Sequence, residues 1–263
     1  MINFFRKIRQ QLLTENKFSK YLLYAIGEIF LVVIGILIAL QINTWNQERS
    51  NTREERRIFH DLSEELQFNK FLVNNGSRTM GEVMFVAEQL LNEINAPEIE
   101  FKEEEFNGHI DKLTVVWVSG RPTTLYDVLS GSGDFSLISS SVIRKKLADL
   151  KGNLESLLKW EETQNQFVDQ QLRPFLNGNV DRTKVRSIRK SAELITTRYS
   201  SVFPPNSREL LQNREFANLL VDLIFFTQRI TDTYVRIDRD ITEIDSLIHA
   251  KYSDIKAKPY IPY

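Results

Sequence analysis

The chain has 263 residues, 42% hydrophobic and 26% charged, with only 10 Gly and 7 Pro. That is enough to bury one substantial core, and too little Gly and Pro for a turn-rich sandwich or a disordered chain. The net charge is −1 and cysteine is absent, which excludes disulfides, thiolate metal sites and cysteine nucleophiles while leaving the redox compartment open.

The charge is uneven. Residues 1–20 carry Arg6, Lys7, Arg9, Lys17 and Lys20 against Glu15 alone, a balance of +4. The mildly acidic remainder argues against nucleic acid as a partner and places the basic residues at a membrane surface. Phe5, Ile8 and Leu12 share one helical face of this leader, with Phe4 and Leu13 beside them. Two readings stay open: a short helix lying on an anionic inner leaflet, or a basic flank whose apolar residues tolerate the interface.

Tyr21 to Ile42 reads YLLYAIGEIFLVVIGILIALQI, with Glu28 as its one ionisable residue. Twenty-two helical residues span roughly 33 Å, which matches a hydrocarbon core of about 30 Å. A cleaved signal peptide is the competing reading. The long basic leader and the poor cleavage site at Ala39-Leu40-Gln41 favour an uncleaved anchor. Five Lys/Arg precede the span, and Arg49, Arg53, Arg56 and Arg57 follow at a greater distance, so the N-terminus is expected inside. Trp45, Tyr21 and Tyr24 fall near the two interfaces, where amphipathic aromatics prefer to sit.

Glu28 is the unusual residue, because a charge at the bilayer centre costs about 2.5–3.5 kcal/mol on insertion scales. It either meets a partner helix, with Gly27 and Gly35 permitting close approach, or snorkels and is tolerated. These three residues are the candidate membrane contact.

The run FFRKIRQQLLTENKFSKYLLYAIGEIFLVVIGILIALQINTWN, residues 4–46, resembles the opening of a family of bacterial membrane proteins classed as a domain of unknown function. A looser likeness continues in TLYDVLSGSGDFSLISSSVIRKKL. The resemblance implies an inner-membrane protein of a Gram-negative bacterium with a helical C-terminal body. It implies no activity and no catalytic residues.

Beyond Trp45 the helical pattern continues. Ile58, Leu62 and Leu66 are spaced by four, joined by Phe59, Phe71 and Val73, and Asn74-Asn75-Gly76 predicts a helix end. Met80, Val83, Met84, Ala87, Leu90, Leu91 and Ile94 predict a second helix over 78–95, stopped by Asn95-Ala96-Pro97. Phe106, Ile110 and Leu113 have helical spacing, whereas Leu113 to Val118 reads equally well as an extended run. Pro122 and Thr123 start a short helix ending at Gly131 or Gly133. Ser139 to Ser141 cap a long helix over about 142–172, with Leu147, Leu150, Leu154, Leu157, Leu158 and Phe167 inward and Arg173-Pro174 ending it. Asp181 precedes another short helix, up to a break at Pro204-Pro205. The last helix, about Ser207 to Tyr252, carries the strongest seam: Phe216, Leu219, Leu220, Leu223, Thr227, Ile230, Tyr234, Ile237, Ile241, Ile244 and Ile248.

The expected fold is therefore all-α: a single transmembrane helix continuing into an antiparallel helical bundle. Its expected divisions are a leader over 1–20, a span over 21–42, an extracytoplasmic domain over 43–258 and an extended tail over 259–263.

The sequence carries no catalytic, cofactor or metal motif. His60 with Glu64, and His249 with Asp245, read as routine i, i+4 pairs rather than zinc ligands. Ser130-Gly131-Ser132-Gly133-Asp134 lacks both the nucleophile-elbow and the phosphate-loop spacing and reads as a helix stop. Asp238, Asp240, Glu243 and Asp245 read as a solvated, self-paired helix face. Two functions follow from different classes. One is a non-enzymatic, membrane-tethered protein that binds a partner or itself; the other is an envelope enzyme, or an obligatory subunit of one, with a pocket drawn from His109, Arg121 and Asp134.

Overall fold

The computed structural model describes residues 18–95, 102–120, 124–186, 207–255 and 260. The expected leader up to Lys17, the stops at Pro97 and Pro204-Pro205, Arg121 and Pro122 lie outside them, as does the tail except Tyr260. The described residues are mostly helical, with no strand among them. The elements are α1 (Phe18–Asn95), α2 (Glu103–Leu113), α3 (Thr124–Ser132), a 3-10 turn (Asp134–Leu137), α4 (Ser141–Phe167), a π turn (Val168–Leu172), α5 (Arg173–Asn179), α6 (Arg182–Arg186), α7 (Ser207–Leu211) and α8 (Arg214–Lys251). The chain divides into two compact units, residues 1–56 and 57–263, taken separately below.

In the first unit α1 is long and apolar enough to cross a membrane, and none of its most apolar window is buried. Every large aliphatic or Phe side chain described from Leu22 to Ile42 is exposed, on all faces of the helix. A helix apolar all round is stable only when something apolar surrounds it.

The second unit is a bundle organised on α8. Contacts fix its directions. Phe59, Ser63, Lys70 and Gly76 of α1 meet Tyr252, Asp245, Thr242 and Tyr234 in turn, so α1 and α8 are antiparallel. Lys146, Asn153 and Gln164 of α4 meet Glu243, Asp240 and Thr227, so α4 is antiparallel to α8 as well. All eleven residues of the predicted α8 seam are buried. Asn213 splits off α7 before it. Its side chain accepts from the Phe216 N–H at 3.1 Å, a cap that satisfies one of the open donors of the first turn.

Two local expectations change. The stop at Asn74-Asn75-Gly76 is absent, and α1 runs on to Asn95. Asn75 donates back to the Phe71 carbonyl at 3.0 Å and Thr79 donates to the Asn75 carbonyl at 2.9 Å, so the polar side chains are satisfied within the helix. Burial of Val73, Met80, Val83 and Ala87 on either side outweighs the cost of about 1 kcal/mol for a mid-helix glycine. Arg173-Pro174 also fails to end its helix: helical backbone continues as α5. Pro174 cannot donate to the preceding turn, and the wider π turn just before it absorbs that mismatch.

The helix with Phe106, Ile110 and Leu113 forms as α2, all three buried, and stops at Leu113. Residues 115–120 are not helical. Ser140 caps α4, accepting from the Ile143 N–H at 3.3 Å, and Gly133, at φ 81°, ends α3 in the left-handed region that favours glycine.

Candidate functional site

The α4 stripe Leu150, Leu154, Leu157 continues at the same spacing to Glu161, so helix geometry alone turns a carboxylate into the core. Glu161 is 2% exposed. Two other elements bring it donors. Ser119, 3% exposed and on the non-helical segment after α2, donates its N–H to Oε2 at 2.9 Å and its hydroxyl to Oε1. Tyr234, 1% exposed and on the α8 seam, donates its hydroxyl to Oε1 at 2.7 Å.

The Ser119 and Tyr234 oxygens are 3.4 Å apart. Burial, and then the adjacent Glu161 carboxylate, push the Tyr234 phenol far above its ordinary value, so it is held as a donor.

Gly76 completes the arrangement from α1. A Cβ there would lie 2.2 Å from the Tyr234 hydroxyl, 2.5 Å from its Cζ and 2.8 Å from Trp117 Nε1. The glycine is thus a notch that seats the phenol and the indole edge. The Trp117 Nε1 donor is itself shielded from solvent without an acceptor among the described residues.

Beside Glu161 runs a surface groove of about 400 Å³, lined by Val118, Leu158, Glu161, Glu162, Asn165, Gln166, Asp169 and Gln170. The Ser119 proton is committed to Glu161 and its oxygen is shielded, so this group is arranged as a lock. It fastens the segment after α2 to α4, α8 and α1.

The acidic patch of α8 is not self-paired. It is divided between neighbours: Asp240 accepts from Asn153 at 2.6 Å and Glu243 from Lys146, both on α4. Asp245 accepts from Ser63 at 3.3 Å and Asp238 lies 3.9 Å from Lys70, both on α1. These carboxylates zip the bundle on two sides.

His60 pairs with Asp61 at 3.5 Å rather than with Glu64, and Asp245 is turned to Ser63, not reserved for His249. His109 sits 3.7 Å from Glu93. Burial holds its imidazole below the usual range, and burial, then Glu105, raises the Glu93 carboxyl. No group of three or more His, Asp or Glu among the described residues could hold a metal ion. His109 lines a second groove, of about 750 Å³, between Lys102 and Lys112; Asp134 does not share it.

Gly27, Glu28 and Gly35 all lie on α1 in the first unit, and the space beside both glycines is open. Sequence reasoning passed over Glu161, Ser119, Trp117 and Gly76 as a group. One signal was available: Glu161 is the carboxylate that falls in phase with the leucines of α4.

Fold and site together define an all-α protein with a buried polar lock in its body and one helix long and apolar enough to span a bilayer. The chain belongs to DUF6090, a family of unknown function, whose model matches residues 28–228. No curated protein and no solved structure matches it.

Proposed function

We propose that this chain is a single-pass protein of a bacterial inner membrane. Residues 21–42 form the span, residues 1–20 a cytoplasmic leader, residues 43–258 a periplasmic body, and residues 259–263 its tail. The body is a non-enzymatic interaction or assembly module for a protein partner or a second copy. The observation that carries the anchor is the exposure, on every face, of the aliphatic and Phe side chains from Leu22 to Ile42. Water would penalise each of them by about 25 cal/mol per Å² of apolar surface, a cost that lipid removes.

The cysteine-free chain makes topology directly measurable. Asn51→Cys is expected to react with a membrane-impermeant maleimide from the periplasmic side of spheroplasts, and Lys17→Cys only after lysis. The reverse pattern rejects the orientation. Release of the wild-type protein by alkaline carbonate rejects the span itself.

Assembly through the membrane helix is assigned to Glu28, flanked by Gly27 and Gly35. A carboxyl placed in hydrocarbon is stabilised by a partner. Glu28→Gln is expected to weaken membrane-embedded complexes, read as a loss of crosslinked species and a shift in native gels. Unchanged complexes would remove Glu28 from that role.

A further inference from the structure

The exit of the apolar helix carries a group that the anchor reading leaves unused. Trp45 is 58% exposed, and the Arg49 guanidinium lies over its ring, 5.8 Å from the centroid. Residues 45, 49 and 53 recur every four positions and so form one stripe on α1. Arg49 and Arg53 are both exposed, and neither meets a carboxylate among the described residues. The Glu48 backbone carbonyl takes the Thr52 hydroxyl at 2.8 Å.

Helix direction makes this placement meaningful. Side chains on an α-helix lean towards its N-terminus, so residues just beyond a span lean back to the bilayer. Trp45 stands about 4.5 Å past Ile42 along the axis and Arg49 about 10 Å past it. The observed stacking returns the guanidinium towards the level of the Trp45 ring. A headgroup layer extends roughly 5–8 Å beyond the hydrocarbon, and tryptophan prefers that depth. A planar guanidinium with several donors, held at phosphate depth on an aromatic face, is suited to bidentate contact with a phosphodiester.

We propose that Trp45 and Arg49 form a binding site for the headgroup of an anionic phospholipid in the leaflet at the C-terminal end of the span, with Arg53 adding long-range attraction. The site fixes the depth and rotation of the helix. It rests on the reading of α1 as a span.

The test uses full-length protein in nanodiscs of phosphatidylcholine with a minor fraction of phosphatidylglycerol, and a photo-crosslinker in place of the exposed Thr52. Crosslinked phosphatidylglycerol should exceed its share of the bulk lipid by about fivefold, the factor expected of one basic residue at an anionic surface. Arg49→Gln should bring the ratio close to the bulk value, Arg53→Gln should lower it less, and Trp45→Ala should also reduce it. All three positions are exposed, so unchanged circular dichroism is expected and serves as the folding control.

Crosslinking that simply follows bulk composition, or an excess that survives Arg49→Gln, overturns the site. Loss of the excess on adding inorganic phosphate overturns the commitment to a lipid headgroup. Release by alkaline carbonate removes the span and this site together. Firm retention in membranes with bulk-like crosslinking removes this site alone.

Discussion

Gly76→Val is expected to destabilise the helical body by about 3 kcal/mol, at or above the upper end for overpacking a well-filled core. Even one added carbon would lie 2.2 Å from the Tyr234 hydroxyl and 2.5 Å from its ring carbon, with the Trp117 indole nitrogen 2.8 Å away on another side. These neighbours belong to the interior of the bundle, where Tyr234 is among the largest fully buried side chains. Relief therefore requires moving α8 or the segment after α2. Gly76→Ala should cost less, because alanine recovers about 1 kcal/mol of helix propensity. In an exposed helix the same change would stabilise. Chemical denaturation of the full-length protein in detergent, followed by circular dichroism, measures both. Pairing Gly76→Ala with Tyr234→Phe, which removes the nearest atom, should recover part of the loss. A Gly76→Val protein as stable as the wild type would mean that Tyr234 does not occupy the notch.

Glu161→Ala should cost about 3–5 kcal/mol, because each buried donor left without its acceptor costs about 1–3 kcal/mol. It strands three buried donors at once: the Ser119 N–H, the Ser119 hydroxyl and the Tyr234 hydroxyl. Glu161→Gln keeps one acceptor oxygen but turns an amide N–H₂ towards donors, and should fall between. Tyr234→Phe removes a single donor and should cost about 1–2 kcal/mol, the scale of one buried hydrogen bond.

The same tyrosine makes a signed prediction about pH. Its folded value is raised above the ordinary 10.0 by burial and by Glu161. Above that pH the unfolded chain loses the phenolic proton while the folded chain keeps it. The folded state then binds more protons than the unfolded one, and stability falls by about 1.4 kcal/mol for each further pH unit. Below pH 10.0 the group contributes no slope. Tyr234→Phe should flatten the alkaline limb of an unfolding-versus-pH curve. An alkaline limb unchanged in that variant would place the titration elsewhere.

Much of this architecture is written locally. The apolar run of α1 stands out because twenty-two consecutive residues, Tyr21 to Ile42, carry one ionisable side chain. The α8 seam is legible because eleven residues hold one period, and a sustained period can bury only one face. Gly133 could be read as a stop because a positive φ is a property of the residue itself.

Asn74-Asn75-Gly76 misled for the complementary reason. Those residues favour a turn only while their side chains need backbone partners and the glycine has no neighbour to accommodate. In the bundle the Asn75 and Thr79 side chains bond along the helix, and Gly76 makes room for Tyr234 from a helix more than 150 positions away. The same holds for the α8 carboxylates. Their spacing suits pairing within one helix, yet their partners lie on α1 and α4, because α8 is packed between them.

By itself, then, the sequence determined that the described residues are mostly helical and which face of the last helix turns inward, since each is a matter of composition and period. Tertiary structure alone decided that α1 continues through a glycine and that Ser119 and Tyr234 converge on Glu161. These outcomes depend on which atoms arrive from distant segments, and a free energy of close contact has no counterpart in local spacing.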